Sequence, residues 1–247
     1  MNAILGIDVG ASGIKGALVD LDKGKLYGER FRVPTPQPST PEAMAKAFAE
    51  VVRFFHYKGI VGCGFPALVK HGVAQSAANI DKAWVGTNIE TVFGEACGCR
   101  VHATNDADAA GMAEMRYGVG REEKGLVILI TIGTGLGTAI FYNGVMIPNT
   151  ELGHLKWTNG KSAELYASSG ARERLKISRK EWARRFNEYL QHLELLFSPD
   201  LFILGGGESK FFESYKEILQ TNARVVPAKL LNNAGIIGAA AYAAEQQ

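Results

Sequence analysis

The sequence predicts an α/β protein of two lobes, each a mixed sheet with flanking helices, and two observations predict it. Both halves open with apolar strands joined by a glycine-rich turn, at residues 8–15 and again at 131–137, and both then pass into helices. A chain of 247 residues, 47% of them hydrophobic, is also long enough to bury a core in each half. The expected lobes are residues 1–106, with a C-terminal helix at 232–247 packing back on them, and residues 107–231.

The elements follow in order. Residues 3–9, 14–21 and 25–33 read as three strands of a meander. A proline-rich stretch, 34–41, ends that pattern, and Pro41-Glu42 opens a helix to residue 56 with Met44, Phe48, Val51, Val52 and Phe55 on one face. A strand at 60–65, a helix at 89–96, a strand at 101–104 and an alanine-rich helix at 107–117 complete the first half. After the charged break 121–124, strands at 126–131, 138–142 and 145–147 repeat the opening, the last two joined by an Asn143-Gly144 turn. A long helix begins at the capping box Ser178 to Glu181 and carries Trp182, Phe186, Tyr189, Leu193 and Phe197 on one face. A strand at 201–204 runs into Gly205-Gly206-Gly207. The last helix, 233–244, is rich in small residues, which suits close packing.

The charges nearly balance, 27 Lys and Arg against 25 Asp and Glu, so no broad field favours a nucleic-acid or membrane-surface partner. Asp8 interrupts the first apolar run, and no basic segment or cleavage pattern precedes it, so a cytoplasmic protein without a secretory signal is expected. No apolar run is long enough to span a membrane. Cys63, Cys97 and Cys99 cannot all pair, and Cys97-Gly98-Cys99 lacks a second ligand pair, so neither a disulfide framework nor a zinc site is expected.

Four segments have the residue types for chemistry. In Asp8-Val-Gly10-Ala-Ser12-Gly13-Ile-Lys15, glycines let backbone N–H groups approach a phosphate, Lys15 neutralises it, and Asp8 is a hard ligand for Mg²⁺, direct or through water. The competing reading is a plain hairpin turn. Thr131-Ile-Gly133-Thr134-Gly135-Leu-Gly137 lies between two strands and so is no dinucleotide fingerprint; a second phosphate hairpin or an ordinary turn remains. Together the two loops would clamp a phosphoryl donor. Asn105-Asp106-Ala-Asp108 stands at a strand-to-helix junction, where an acid either caps the helix or, as Asp106, takes a proton from a sugar hydroxyl that Asn105 orients. Glu151-Leu-Gly153-His154, followed by Glu164, suits recognition of vicinal hydroxyls as well as it suits a solvated surface.

The order of these segments resembles the ROK family of sugar kinases and repressors, and more closely its polyphosphate glucokinase branch. The most branch-like stretches are Asn79-Ile-Asp-Lys-Ala-Trp84-Val-Gly86-Thr87-Asn88 and the run from Thr104 to Gly118. The resemblance implies an actin-like, ribonuclease-H-like ATPase fold with sugar between two lobes. It also implies Mg²⁺-assisted transfer of a terminal phosphoryl group, from polyphosphate or ATP, to the 6-hydroxyl of glucose or a related hexose. By motif, Asp106 takes the catalytic-base position. Asn105, Glu151, His154 and Glu164 take sugar-contact positions, and Asp8, Gly10, Lys15, Thr134, Gly135 and Gly206 surround the donor phosphates. Gly64-Phe65-Pro66-Ala67 matches a sugar-side loop, although its second half departs from the usual composition. The cysteine-rich zinc motif of many relatives is missing after His154, as it is in the polyphosphate branch. The family's repressors carry a helix-turn-helix before the first phosphate strand, which is not expected here, and a homodimer is implied. Seven basic residues, Arg172, Arg174, Lys176, Arg179, Lys180, Arg184 and Arg185, either guide a polyanion or are simply solvated. The alternative function is a non-catalytic sugar-binding sensor of the same fold.

Overall fold

A computed structural model of the protein describes residues 3–158 and 160–247. The chain divides into two compact units, one formed by residues up to Tyr117 together with Asn233–Gln247, the other by Gly118–Asn232. The helix that begins at Asp106 lies wholly in the first.

The first unit runs β1 (Ala3–Gly10), β2 (Gly13–Asp20), β3 (Lys25–Val33), α1 (Pro41–Phe54), β4 (Val61–Phe65), β5 (Val69–Lys70), β6 (Val73–Ala74), α2 (Ile89–Cys97), β7 (Val101–Asn105) and α3 (Asp106–Tyr117). Its main sheet has the order β3-β2-β1-β4-β7, antiparallel through the opening meander and parallel from β1 to β4 to β7. Thr40 caps α1 by accepting from the Ala43 N–H, and Pro41 occupies the first turn, where no N–H is needed. The expected face of α1 buries Met44, Phe48, Val51 and Val52 against Leu5, Ile7, Phe65 and Phe93. Strand β4 is buried along its whole length, which is why it reads as a continuous small and apolar run rather than an alternating one.

The C-terminal helix, Ala234–Glu245, belongs to this unit. A Cβ on Gly6 would overlap the Ile236 carbonyl, one on Gly62 the Ala239 carbonyl, and one on Gly238 the Ala109 carbonyl. The helix therefore lies backbone against backbone on β1, β4 and α3, which is the close packing its small residues suit. The branch-like stretch around Trp84 is also structural: the indole is fully buried, donates to the Ser39 carbonyl at 3.0 Å, and packs edge-on to Phe65 at 4.8 Å.

The second unit runs β8 (Leu126–Ile132), β9 (Leu136–Tyr142), β10 (Val145–Ile147), α4 (Glu164–Ala167), α5 (Ser169–Leu175), α6 (Arg179–Phe197), β11 (Leu201–Gly206) and β12 (Arg224–Pro227). Its sheet, β10-β9-β8-β11-β12, repeats the first one strand for strand, antiparallel through β8-β9-β10 and parallel through β8-β11-β12. The duplication expected from the two glycine hairpins thus extends to whole sheets. Strand β12 is the counterpart of β7 and is not legible beforehand, being four half-exposed or exposed residues ending in proline, which only an edge strand tolerates. Ser178 caps α6 as expected, accepting from the Glu181 N–H, and Trp182, Phe186, Tyr189 and Leu193 pack on Ile128, Ile130, Phe202 and Leu204. Among the described residues no helix is long and apolar enough to cross a membrane.

Candidate active site

In the first unit, the chemistry-bearing residues collect at the carboxyl ends of the parallel strands, where ligands of open α/β sheets bind. Register puts Asp8 beside Gly64, and Gly64 beside Thr104, so the ends of β1, β4 and β7 form one edge on which Asp8 and Thr104 are about 10 Å apart, with Asp106 two residues beyond Thr104. The β1–β2 hairpin turns through Ala11 and Ser12 and fixes Asp8 opposite Lys15, with Nζ 3.7 Å from Oδ2. Burial raises the Asp8 carboxyl above its ordinary value, opposed first by Lys15 and then by Arg30. Arg32, opposite Lys15 on β3, donates to the Ser12 carbonyl at 2.6 Å. A two-residue hairpin followed by an alternating Arg30 and Arg32 was a readable signal for these cations, and it was missed.

At the end of β7, the capping question has a clear geometric answer. Asn105 caps α3, its Oδ1 accepting from the N–H groups of Ala107 at 2.8 Å and Asp108 at 3.2 Å. Its Nδ2 donates to the Ala67 carbonyl at 3.0 Å, tying the Gly64 to Ala67 loop to the helix start. Asp106 is the first residue of α3 and is half-buried; its Oδ1 accepts from its neighbour's N–H at 2.8 Å. Asp108 points inward and is 1% exposed, so of the two acids only Asp106 is open to a substrate. The helix N-terminus favours its negative charge.

In the second unit, the structure brings Glu151, His154 and Glu164 together. Thr138 at the core of β9 holds the incoming loop by accepting from the Leu152 N–H at 3.0 Å, and Glu151-Leu-Gly153-His154 then makes a short 3-10 turn. His154 Nδ1 stands 3.7 Å from Glu151 Oε2, and its Nε2 stands 3.6 Å from Glu164 Oε1. Burial raises the Glu151 carboxyl above its ordinary value, with His154 opposing and Glu164 adding to the shift. Among the described residues no group of three His, Cys, Asp or Glu is placed to hold a metal ion. What the trio offers is a row of alternating acceptors and a donor, the pattern that matches adjacent hydroxyls.

Glu164 also reaches the glycine loop between β8 and β9. Its Oε2 accepts from the Leu136 N–H at 3.4 Å, and a Cβ on Gly135 would overlap that oxygen. The other side of the loop rests on α5: the Ser168 hydroxyl donates to the Thr134 carbonyl at 3.0 Å and the Gly170 N–H to the Gly133 carbonyl at 3.1 Å. Thr134 is thereby left exposed at the tip. Beside it in register, Gly205 and Gly206 lie next to Thr131 and Ile132. Gly206 has φ +78°, and a Cβ there would overlap the Ile132 backbone, so glycine is required.

The residue that sequence reasoning missed is Glu208, just past that turn. It is 3% exposed and takes Arg172 at 3.1 Å, Arg179 at 3.0 Å and the Ser169 hydroxyl at 3.2 Å. A single carboxylate thus pins the glycine turn to the starts of α5 and α6. Two of the seven basic residues are consumed in this way, and Arg184 and Arg185 pair with Glu181 at 3.2 and 3.7 Å. No local pattern marks Glu208, because its partners come from two other elements.

Known proteins resemble this chain over most of its length. The family model described as ROK family matches residues 4–164, well over half of the chain. A protein named polyphosphate glucokinase from Mycobacterium tuberculosis (strain CDC 1551 / Oshkosh) is 50% identical over 236 residues, covering 95% of this chain and 89% of that one. Among solved structures, the inorganic polyphosphate/ATP-glucomannokinase from Arthrobacter sp. strain KM is 49% identical with a TM-score of 0.95, covering 99% of both chains. A ROK family glucokinase from Streptomyces griseus, in complex with glucose and AMPPNP, is 26% identical with a TM-score of 0.83 over 98% of this chain and 99% of that one.

Proposed function

The chain belongs to the ROK family, and from that premise we propose that it is a glucokinase, transferring a phosphoryl group from polyphosphate or ATP to the 6-hydroxyl of glucose or a related hexose. The observation that carries the reading is the trio Glu151, His154 and Glu164, a hydroxyl-binding set whose last member also touches a glycine loop suited to phosphate. A sugar and a phosphoryl donor are the two ligands that such a junction joins.

The chemistry then assigns the remaining roles. Asp106 accepts the proton of the 6-hydroxyl as that oxygen bonds to the terminal phosphorus, while the bond from phosphorus to the rest of the donor breaks and its electron pair leaves with the donor. Asn105 positions Asp106 through the helix cap and has a second amide N–H for the sugar. Gly10, Lys15, Thr134, Gly135 and Gly206 line the donor phosphates with N–H groups, a hydroxyl and a cation.

Mg²⁺ fits these residues: Asp8, a half-buried carboxylate beside a cation at the turn, would hold it, directly or through water, as a hard oxygen ligand. When bound, such an ion supplies positive charge to the transferring group.

Purified protein with Mg²⁺, offered glucose, mannose, fructose and N-acetylglucosamine with ATP and polyphosphate separately, is expected to form glucose 6-phosphate from both donors. Glucose binding without turnover would replace the kinase reading with a sugar sensor. Light scattering in the same preparation reports whether the protein forms the homodimer that the resemblance implies.

A pH dependence follows from Glu151. Because burial raises its carboxyl, Glu151 takes up a proton at a pH above the ordinary carboxylate range, near 4.5, and loses acceptor capacity there. The value of kcat/KM for glucose should fall as pH drops through that raised value, and Glu151→Gln should start lower and fall less steeply, the raised Asp8 carboxyl keeping its own share of the limb. A profile for Glu151→Gln that overlays the parent's would remove Glu151 from the sugar set.

A further inference from the structure

Beside α4, at Leu165 and Tyr166, the second unit has a pocket of about 470 Å³. Lys161, Arg174 and Arg185 line it together with Ser162, Tyr166, Leu165 and Leu175, so that three cations and no carboxylate are among the lining residues. Carboxylates pair with two of these residues: Glu181 holds Arg185 at 3.7 Å, and Glu188 accepts from the Tyr166 hydroxyl at 2.9 Å. Arg185 lies over the Tyr166 ring, 5.0 Å from its centre, and Arg174 donates to the Leu165 carbonyl at 2.7 Å. Arg174 and Arg185 are thus held in place at the rim of a concave space whose charged lining groups are all cations and whose floor is partly apolar, an arrangement that favours an oxyanion.

Its position says which oxyanion. Helix α5 starts against the donor loop, where Ser168 and Gly170 bond Thr134 and Gly133, and ends at the pocket, where Arg174 and Leu175 line it. Seven helical residues span about 10 Å. A ligand with one end on the loop and the other in the pocket is a linear polyanion carrying several phosphates, longer than the triphosphate of a nucleotide.

We propose that this pocket is a distal subsite for the tail of the polyphosphate donor, used by long chains and not by ATP. The inference rests on polyphosphate being a donor, and it makes the basic side chains Lys161, Arg174 and Arg185 the determinants of preference for long chains. It also separates the seven basic residues of the 172–185 segment: Arg172 and Arg179 hold the fold through Glu208, whereas Arg174 and Arg185 bind.

The test compares the parent protein with Lys161→Gln, Arg185→Gln and the double variant, measuring KM and kcat with long-chain polyphosphate, tripolyphosphate and ATP at saturating glucose. Calorimetric titration with long-chain polyphosphate is run alongside. In the parent, KM per chain should fall as polyphosphate lengthens. Each cation removed should raise KM for long chains by about tenfold and weaken binding in step, with ATP and tripolyphosphate kinetics unchanged. Arg185→Lys, which keeps the charge, should retain most of the affinity. Equal losses with ATP would make the pocket a structural element, and unchanged long-chain binding in the double variant would show that the tail lies elsewhere; either result overturns the proposal. A parent protein that turns over ATP and neither uses nor binds polyphosphate overturns the donor reading itself, a result that the variants cannot produce.

Discussion

Asp106→Asn is expected to lower kcat by about 10²- to 10⁴-fold with ATP and with polyphosphate alike, the range that a positioned general base contributes. The substitution removes the charge and keeps the start of the helix. Asn105, not Asp106, caps α3 through the N–H groups of Ala107 and Asp108, and an amide oxygen at 106 can still accept from the Ala107 N–H. Losing one favourable charge at a helix N-terminus costs under about 1 kcal/mol at a half-exposed position. The KM for glucose should change little, since the trio on the second unit is untouched. A variant that keeps the parent kcat would exclude Asp106 as the base, and one that unfolds early would show that the carboxylate is structural.

Glu208→Ala should lower stability by about 3 kcal/mol, at the low end of the range for breaking a buried ion pair, because Arg172 and Arg179 keep 23% and 29% of their side chains exposed and can partly rehydrate. Urea unfolding followed by tryptophan fluorescence reads the change through Trp182, which is buried in the same unit. Glu208→Gln should recover part of the loss, since the amide oxygen can still accept from Arg179 while the amide N–H donates to the Ser169 hydroxyl oxygen. The functional consequence is specific: Gly205 to Gly207 lose their anchor, so KM for both donors should rise while KM for glucose holds. An unchanged unfolding midpoint in Glu208→Ala would mean that the two arginines are satisfied without it.

The sequence by itself determined what repeats locally. Alternating apolar runs, the turns at 8–15 and 131–137, the helix start at Pro41, the Ser178 cap and the face of α6 are set by neighbours a few residues apart, and each appears where it was expected. The grouping of Glu151 with His154 was similarly close at hand, three residues apart on one turn. Long-range matters were not legible. Strand β12 exists only because β11 offers a parallel edge, the choice between Asp106 and Asp108 depends on which one the packed helix turns inward, and Glu208 gains meaning only from arginines 29 or more residues away. Tertiary structure decided these because a buried carboxylate or an edge strand is stabilised by partners distant in the chain, and a reading of periodicity sees only the near ones.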